Sequence, residues 1–212
     1  GTNNWARLAA SDDGTRLVAC VYSGKIWYSS DSGSTWNESN SDSTSFEPIT
    51  STSTGEKAAA VSQNDIHYSN DYGVTWSKKH TGSWKGIAYS GDGSMGVAIQ
   101  NGKIFYSTNA FWHINEFSTS LTGDWRDIAI SSDGTTIAAV AHGGNIWTSS
   151  DSGTTWTEDT SVGSTKSWNR IAMTPDGTKM AATEITVGSK GNIWTSSDSG
   201  ATWTERSVGS TQ

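Results

Sequence analysis

The side chains able to do chemistry in this chain are few and dispersed. Its four histidines, His67, His80, His113 and His142, stand 13, 33 and 29 positions apart. A histidine-based metal centre usually needs a short-spaced pair on one element, so this spacing predicts no metal site. The single cysteine, Cys20, lies in the apolar run "RLVAC", which predicts a buried small hydrophobe and excludes an intrachain disulfide. Acid-pair hydrolysis of a glycosidic bond needs two carboxyl groups about 5 to 9.5 Å apart. The chain carries 21 Asp and Glu, but Asp12, Asp13, Asp92, Asp133 and Asp176 all fall in hairpin turns. No loop shows the alternating acids of a calcium site. Arg7 and Arg170 follow a tryptophan by two residues and Arg126 by one, so strand alternation points them to opposite faces. Neither a metal nor a cofactor is expected.

Composition narrows the partners. The net charge of −7 and the scattering of 14 Lys and Arg over 212 residues argue against nucleic acid, whose binding proteins carry a basic stripe. No stretch approaches the roughly 20 apolar residues of a membrane helix, so membrane insertion is not expected. Only 17% of residues are charged, yet twelve are tryptophan. Disordered chains have few aromatics, and no long 3.6-residue periodicity is present. The chain therefore reads as all-β.

The elements that must position these side chains repeat. The phrase "SSDSGTTW" at 149–156 returns as "SSDSGATW" (196–203), "SSDSGSTW" (29–36) and "SNDYGVTW" (69–76), with a worn copy "STNAFWHI" at 107–114. Its third residues, Asp31, Asp71, Asn109, Asp151 and Asp198, are spaced 40, 38, 42 and 47 apart. Each unit opens with an aromatic and a short strand, as in "WKGIAY", and turns at an Asp-Gly-type sequence. A small-residue strand ("TIAAVA") and a strand such as "NIWTS" follow; the phrase then leads into a fourth short strand. Four antiparallel strands per unit of about forty residues predict a β-propeller of five blades, at approximately 4–45, 46–83, 84–124, 125–167 and 168–212. The last unit ends "SVGSTQ" and an internal junction reads "SVGSTKSW", so joining the two ends would imitate a junction and close a five-membered ring. The alternatives are a piece of a longer array or one unit of a self-assembly.

Within the phrase, the Asp can accept hydrogen bonds from its own turn. Gly33, Gly73, Gly153 and Gly200 supply a positive φ, and Trp36, Trp76, Trp156 and Trp203 cover neighbouring strands with apolar surface. The pattern Ser-x-Asp-x-Gly-x-Thr-Trp resembles the Asp-box, or BNR-type, repeat, in which the box is a structural turn at the blade periphery. Sialidases carry such boxes, and the resemblance to them would imply an arginine triad and a tyrosine–glutamate pair. The family's Arg-Ile-Pro motif is absent, "NRIAM" being nearest, and no Tyr-Glu pair is evident. Xyloglucan-cleaving propellers with such boxes place two carboxylates in a cleft between two propellers, which one short propeller cannot form. The photosystem II assembly-factor family also resembles these repeats, which favours binding of a protein partner.

The phrase end of each unit is uniform, whereas the loops after the second and fourth strands vary, and function concentrates in such loops. The candidate contacts there are His80, Lys85, Arg126, His142, Glu184 and Lys190, joined by Trp112 of the worn copy as a stacking platform. Three functions follow in order: a non-catalytic recognition or scaffold module for proteins, placed outside the cell or at its surface; a lectin; and a relative of the glycosidases.

Overall fold

The computed structural model describes residues 3–100, 102–117, 121–185 and 191–206. Among these residues twenty short strands follow in chain order. The first unit holds β1 (Trp5–Ala10), β2 (Leu17–Val21), β3 (Ile26–Ser29) and β4 (Asn37–Glu38). The second holds β5 (Phe46–Ser51), β6 (Ala58–Ser62), β7 (Ile66–Ser69) and β8 (Ser77–Lys79). The third holds β9 (Trp84–Tyr89), β10 (Gly96–Gln100), β11 (Lys103–Ser107) and β12 (Asn115–Glu116). The fourth holds β13 (Trp125–Ile130), β14 (Ile137–Gly144), β15 (Ile146–Ser149) and β16 (Thr157–Glu158). The fifth holds β17 (Lys166–Met173), β18 (Met180–Glu184), β19 (Ile193–Ser196) and β20 (Thr204–Arg206).

Within a unit each strand pairs antiparallel with the next, giving a four-stranded meander. The last two meanders merge into one eight-stranded sheet, because β14 runs on to pair His142 with Ser167 and Gly144 with Lys166. Every first strand slips register just after its opening aromatic, between Trp5 and Arg7, Phe46 and Ile49, Trp84 and Gly86, Trp125 and Asp127, and Trp168 and Arg170. Such bulges re-aim side chains. Arg7 and Arg170 hold equivalent paired positions, opposite Cys20 and Thr183, whereas Arg126 falls within the slip between Trp125 and Asp127.

The core lies between meanders. The second strands are small and apolar because both of their faces are covered: Ala58, Ala59, Ala60 and Val61 are fully buried. The forward face of one unit meets the backward face of the next, so that Ala138, Val140 and Ile146 pack with Trp168, Ile171, Ala182 and Trp194. The other three junctions repeat this pattern. The first strands touch in series from β1 through β5, β9 and β13 to β17. Hydrogen bonds tie successive first turns, with Asp12, Ser53, Asp92 and Ser132 donating from N–H to the carbonyls of Ser53, Gly91, Ser132 and Pro175. The relay stops there, since proline has no N–H.

Among the described residues the ring does not close. Trp5 on the first unit is 51% exposed, whereas the equivalent Trp125 and Trp168 are 1% exposed. The described residues form an open, partial ring whose first and fifth units each leave one face uncovered by them.

Candidate binding face

The repeated phrase builds one hydrogen-bonded turn four times. In the first, the Ser29 hydroxyl donates to Asp31 Oδ1 (2.8 Å) and accepts the Gly33 N–H (2.9 Å). Asp31 also accepts from the Thr35 N–H (2.8 Å) and hydroxyl (2.6 Å), and the Trp36 indole donates to the Gly33 carbonyl at 3.1 Å. Asp71, Asp151 and Asp198 make the same contacts, with Gly73, Gly153 and Gly200 closing the turn on Trp76, Trp156 and Trp203. The hydroxyl and N–H of the phrase threonine hold the Asp31 and Asp198 carboxyls down to about 2. These acids are occupied by their own turns and have no proton to offer near neutral pH.

The worn copy keeps the turn with other side chains. Asn109 Oδ1 accepts from the His113 N–H at 2.9 Å, and the Ser107 hydroxyl accepts from the Phe111 N–H at 2.9 Å. Phe111 holds the glycine position at φ +61° and is fully buried against Tyr89. Trp112 is pushed outward, 52% exposed, with Lys79 Nζ 3.5 Å above its ring and Tyr68 against its edge.

Three of the sequence candidates converge at the end of the molecule opposite the phrase. Lys85 Nζ lies 2.7 Å from Asp124 Oδ1, and Arg126 Nη2 lies 2.7 Å from Asp124 Oδ2. His142 Nδ1 sits 3.9 Å from the same Oδ2, and its backbone N–H donates to the Asp124 carbonyl. The slip in β9 and β13 explains the convergence, because Lys85 and Arg126 are the residues displaced by it. The Lys85 hydrogen bond, with the charges of Lys85 and Arg126, lowers the Asp124 carboxyl from its ordinary value. Arg126 Nε is buried and has no partner among the described residues. Two permanent cations and one imidazole thus share one carboxylate, leaving an excess of positive charge suited to a carboxylate, phosphate or sulfate ligand.

The other candidates are placed elsewhere. His80 is half-buried and its Nε2 bonds to the Phe111 carbonyl (2.8 Å), tying the second unit to the third. Glu184 is buried, accepts from Asn192 Nδ2 (2.9 Å) and lies 3.9 Å from Lys166 Nζ. Lys190 lies outside the described residues. Sequence reading missed Asp124, the carboxylate that gathers the cluster; its place just before an opening tryptophan is the available signal. It also missed Asp127, whose carboxyl is pushed up by burial while Oδ2 accepts the Ile171 N–H at 3.0 Å. Among the described residues, no group of three His, Cys, Asp or Glu is arranged to hold a metal ion. His67 instead packs edge-on to Phe46 at 4.8 Å, and burial lowers its imidazole below the usual value.

No protein-family model matches the chain, and no curated protein does. Its backbone is similar to solved β-propeller structures. One is a GH74 enzyme of Niastella koreensis, with TM-score 0.72 and 17% identity over 94% of this chain. A second is YCF48 bound to D1 peptide, with TM-score 0.68 and 17% identity over 95%. A third is Kuenenia stuttgartiensis hydrazine synthase, with TM-score 0.74 and 17% identity over 96%. This chain spans 31% of the first, 67% of the second and 66% of the third. At these identities the likeness shows the propeller fold alone.

Proposed function

We propose that this chain is a non-catalytic recognition module, in which five Asp-box blades present a face that binds an acidic segment of a partner protein. The observation that carries this reading is the convergence of Lys85, Arg126 and His142 on Asp124, a local positive excess in a chain of net charge −7. An acidic peptide docks by sharing or displacing Asp124, and the guanidinium offers it a planar fork of donors. A propeller neighbour solved with a bound peptide supports the idea that this fold serves protein recognition. The phrase acids Asp31, Asp71, Asp151 and Asp198 are engaged by their own turns, which supports a structural role for them over a catalytic one.

Titration of acidic and neutral peptide pools into the full chain tests the reading. Acidic peptides should bind, and the Lys85→Ala/Arg126→Ala pair should weaken them at least tenfold with an unchanged melting temperature. Binding unaffected by that pair would count against the site. The exposed Trp112 with Lys79 above it favours a second reading, a carbohydrate platform. Glycan-array binding lost in Trp112→Ala but kept in the Lys85/Arg126 pair would select it. Turnover of a fluorogenic sialoside or a xyloglucan oligosaccharide would overturn both.

A further inference from the structure

The two free ends of the open ring are the two halves of the junction that the chain already makes four times. On the first unit the backward face carries Trp5, Leu8, Ala19, Trp27 and Trp36, with Leu8 paired to Ala19 and Ala19 to Trp27. On the fifth unit the corresponding residues are Trp168, Ile171, Ala182, Trp194 and Trp203, in the same register, and they are packed against the fourth unit. Leu8 is 59% exposed where Ile171 is 7%. A groove of about 550 Å³ lies over Trp5, Leu8, Ala19 and Trp36.

The forward face of the fifth unit shows the reverse case. Ala172, Ala181, Thr183, Ile193 and Thr195 hold the register of Ala129, Ala138, Val140, Ile146 and Thr148 on the fourth unit. The fourth-unit set receives Trp168 and Trp194. The fifth-unit set receives nothing among the described residues: Ile193 is 38% exposed where Ile146 is 1%, and Ala172 and Ala181 are exposed. The phrase glycine reports the same vacancy. A Cβ on Gly200 would meet Thr148 Cγ2 of the preceding unit at 2.6 Å, and one on Gly73 would meet Val18 at 2.5 Å. A Cβ on Gly33 would meet only its own unit, Leu17 at 3.2 Å and then Trp36.

We infer that the occupant of each free face is a second copy of this chain, the forward face of one fifth unit docking on the backward face of another first unit. Apolar surface of this size, shaped to a surface the same molecule carries, is buried by association. The contact is heterologous, a head-to-tail joint that yields a ring or an open chain of copies. Pro175 cannot extend the turn relay across it, so the joint rests on side-chain packing and responds to concentration.

Solution mass, read by light scattering on the full chain, tests this with Leu8→Asp and Ala181→Asp, both at exposed positions. Wild type should rise in mass with concentration, and each variant alone should stay monomeric with native tryptophan emission. An equimolar mixture should give a dimer and nothing larger, because each variant keeps one working face. Both substitutions add negative charge, so attraction between the variants cannot produce that dimer. A wild type that stays monomeric at its highest attainable concentration, or a mixture that stays monomeric, overturns the inference. So does wild-type association that Leu8→Asp leaves intact.

Discussion

At the scale of single residues, the turn acids have a measurable signature. Thr174 and Thr178 donate to Asp176 and Thr202 donates to Asp198, and these carboxyls, with Asp13 and Asp31, sit at about 2 in the fold, against about 3.9 in an unfolded chain. A carboxyl whose folded value is depressed adds stability above the unfolded value and loses it as pH falls through the folded one. Melting temperature should therefore hold down to about pH 4 and then fall steadily toward pH 2. Asp198→Asn should make that decline shallower. Asp127 works in the opposite sense, since burial raises its carboxyl and its contribution weakens as pH rises. A chain whose melting temperature stays level between pH 4 and pH 2 would contradict the turn geometry.

At the scale of elements, the phrase glycine distinguishes local conformation from contact between units. Gly33 and Gly153 share φ +84°, where an added Cβ costs about 1–2 kcal/mol. A Cβ on Gly153 would also run into Phe117 of the preceding unit at 2.1 Å, and overpacking adds about 1–3 kcal/mol. Gly33→Ala should thus lower unfolding free energy by roughly the first amount and Gly153→Ala by roughly the sum, measured by urea denaturation. Equal losses would mean that the turns do not meet their neighbours. The strands themselves were legible, because short apolar runs and glycine-ended turns recur five times, four of those turns being Asp-Gly. The candidate site was legible only in part. Lys85, Arg126 and His142 stood out as residues in variable loops, but the carboxylate that joins them did not. Nor did the sequence reveal the register slip that displaces Lys85 and Arg126, since a slip is a property of two paired strands. His80 and Glu184 read as loop contacts, yet His80 is tied to the Phe111 carbonyl of the next unit and Glu184 to Asn192 across its own hairpin.

For the molecule as a whole, the sequence pointed to the repeat and left open whether it closes. Repeats bury their faces on neighbours, and stability is shared among the junctions. The first unit has one junction and the third has two, on either side of Val97, Ala98 and Ile99, which are fully buried. Amide exchange in dilute solution, where copies are apart, should run fastest in β1 and β2 and slowest in β10 and β14. Uniform protection from the first unit to the fourth would point to a contact on the free end that the separated chain retains.

Each of the first three sheets draws all its strands from one uninterrupted stretch of chain, with none borrowed from elsewhere. Gain or loss of one such stretch by unequal recombination of the coding DNA would change the length of the array by a whole sheet and sever no ladder. The shared β14–β17 ladder makes the last two units the exception, since removing either would sever it.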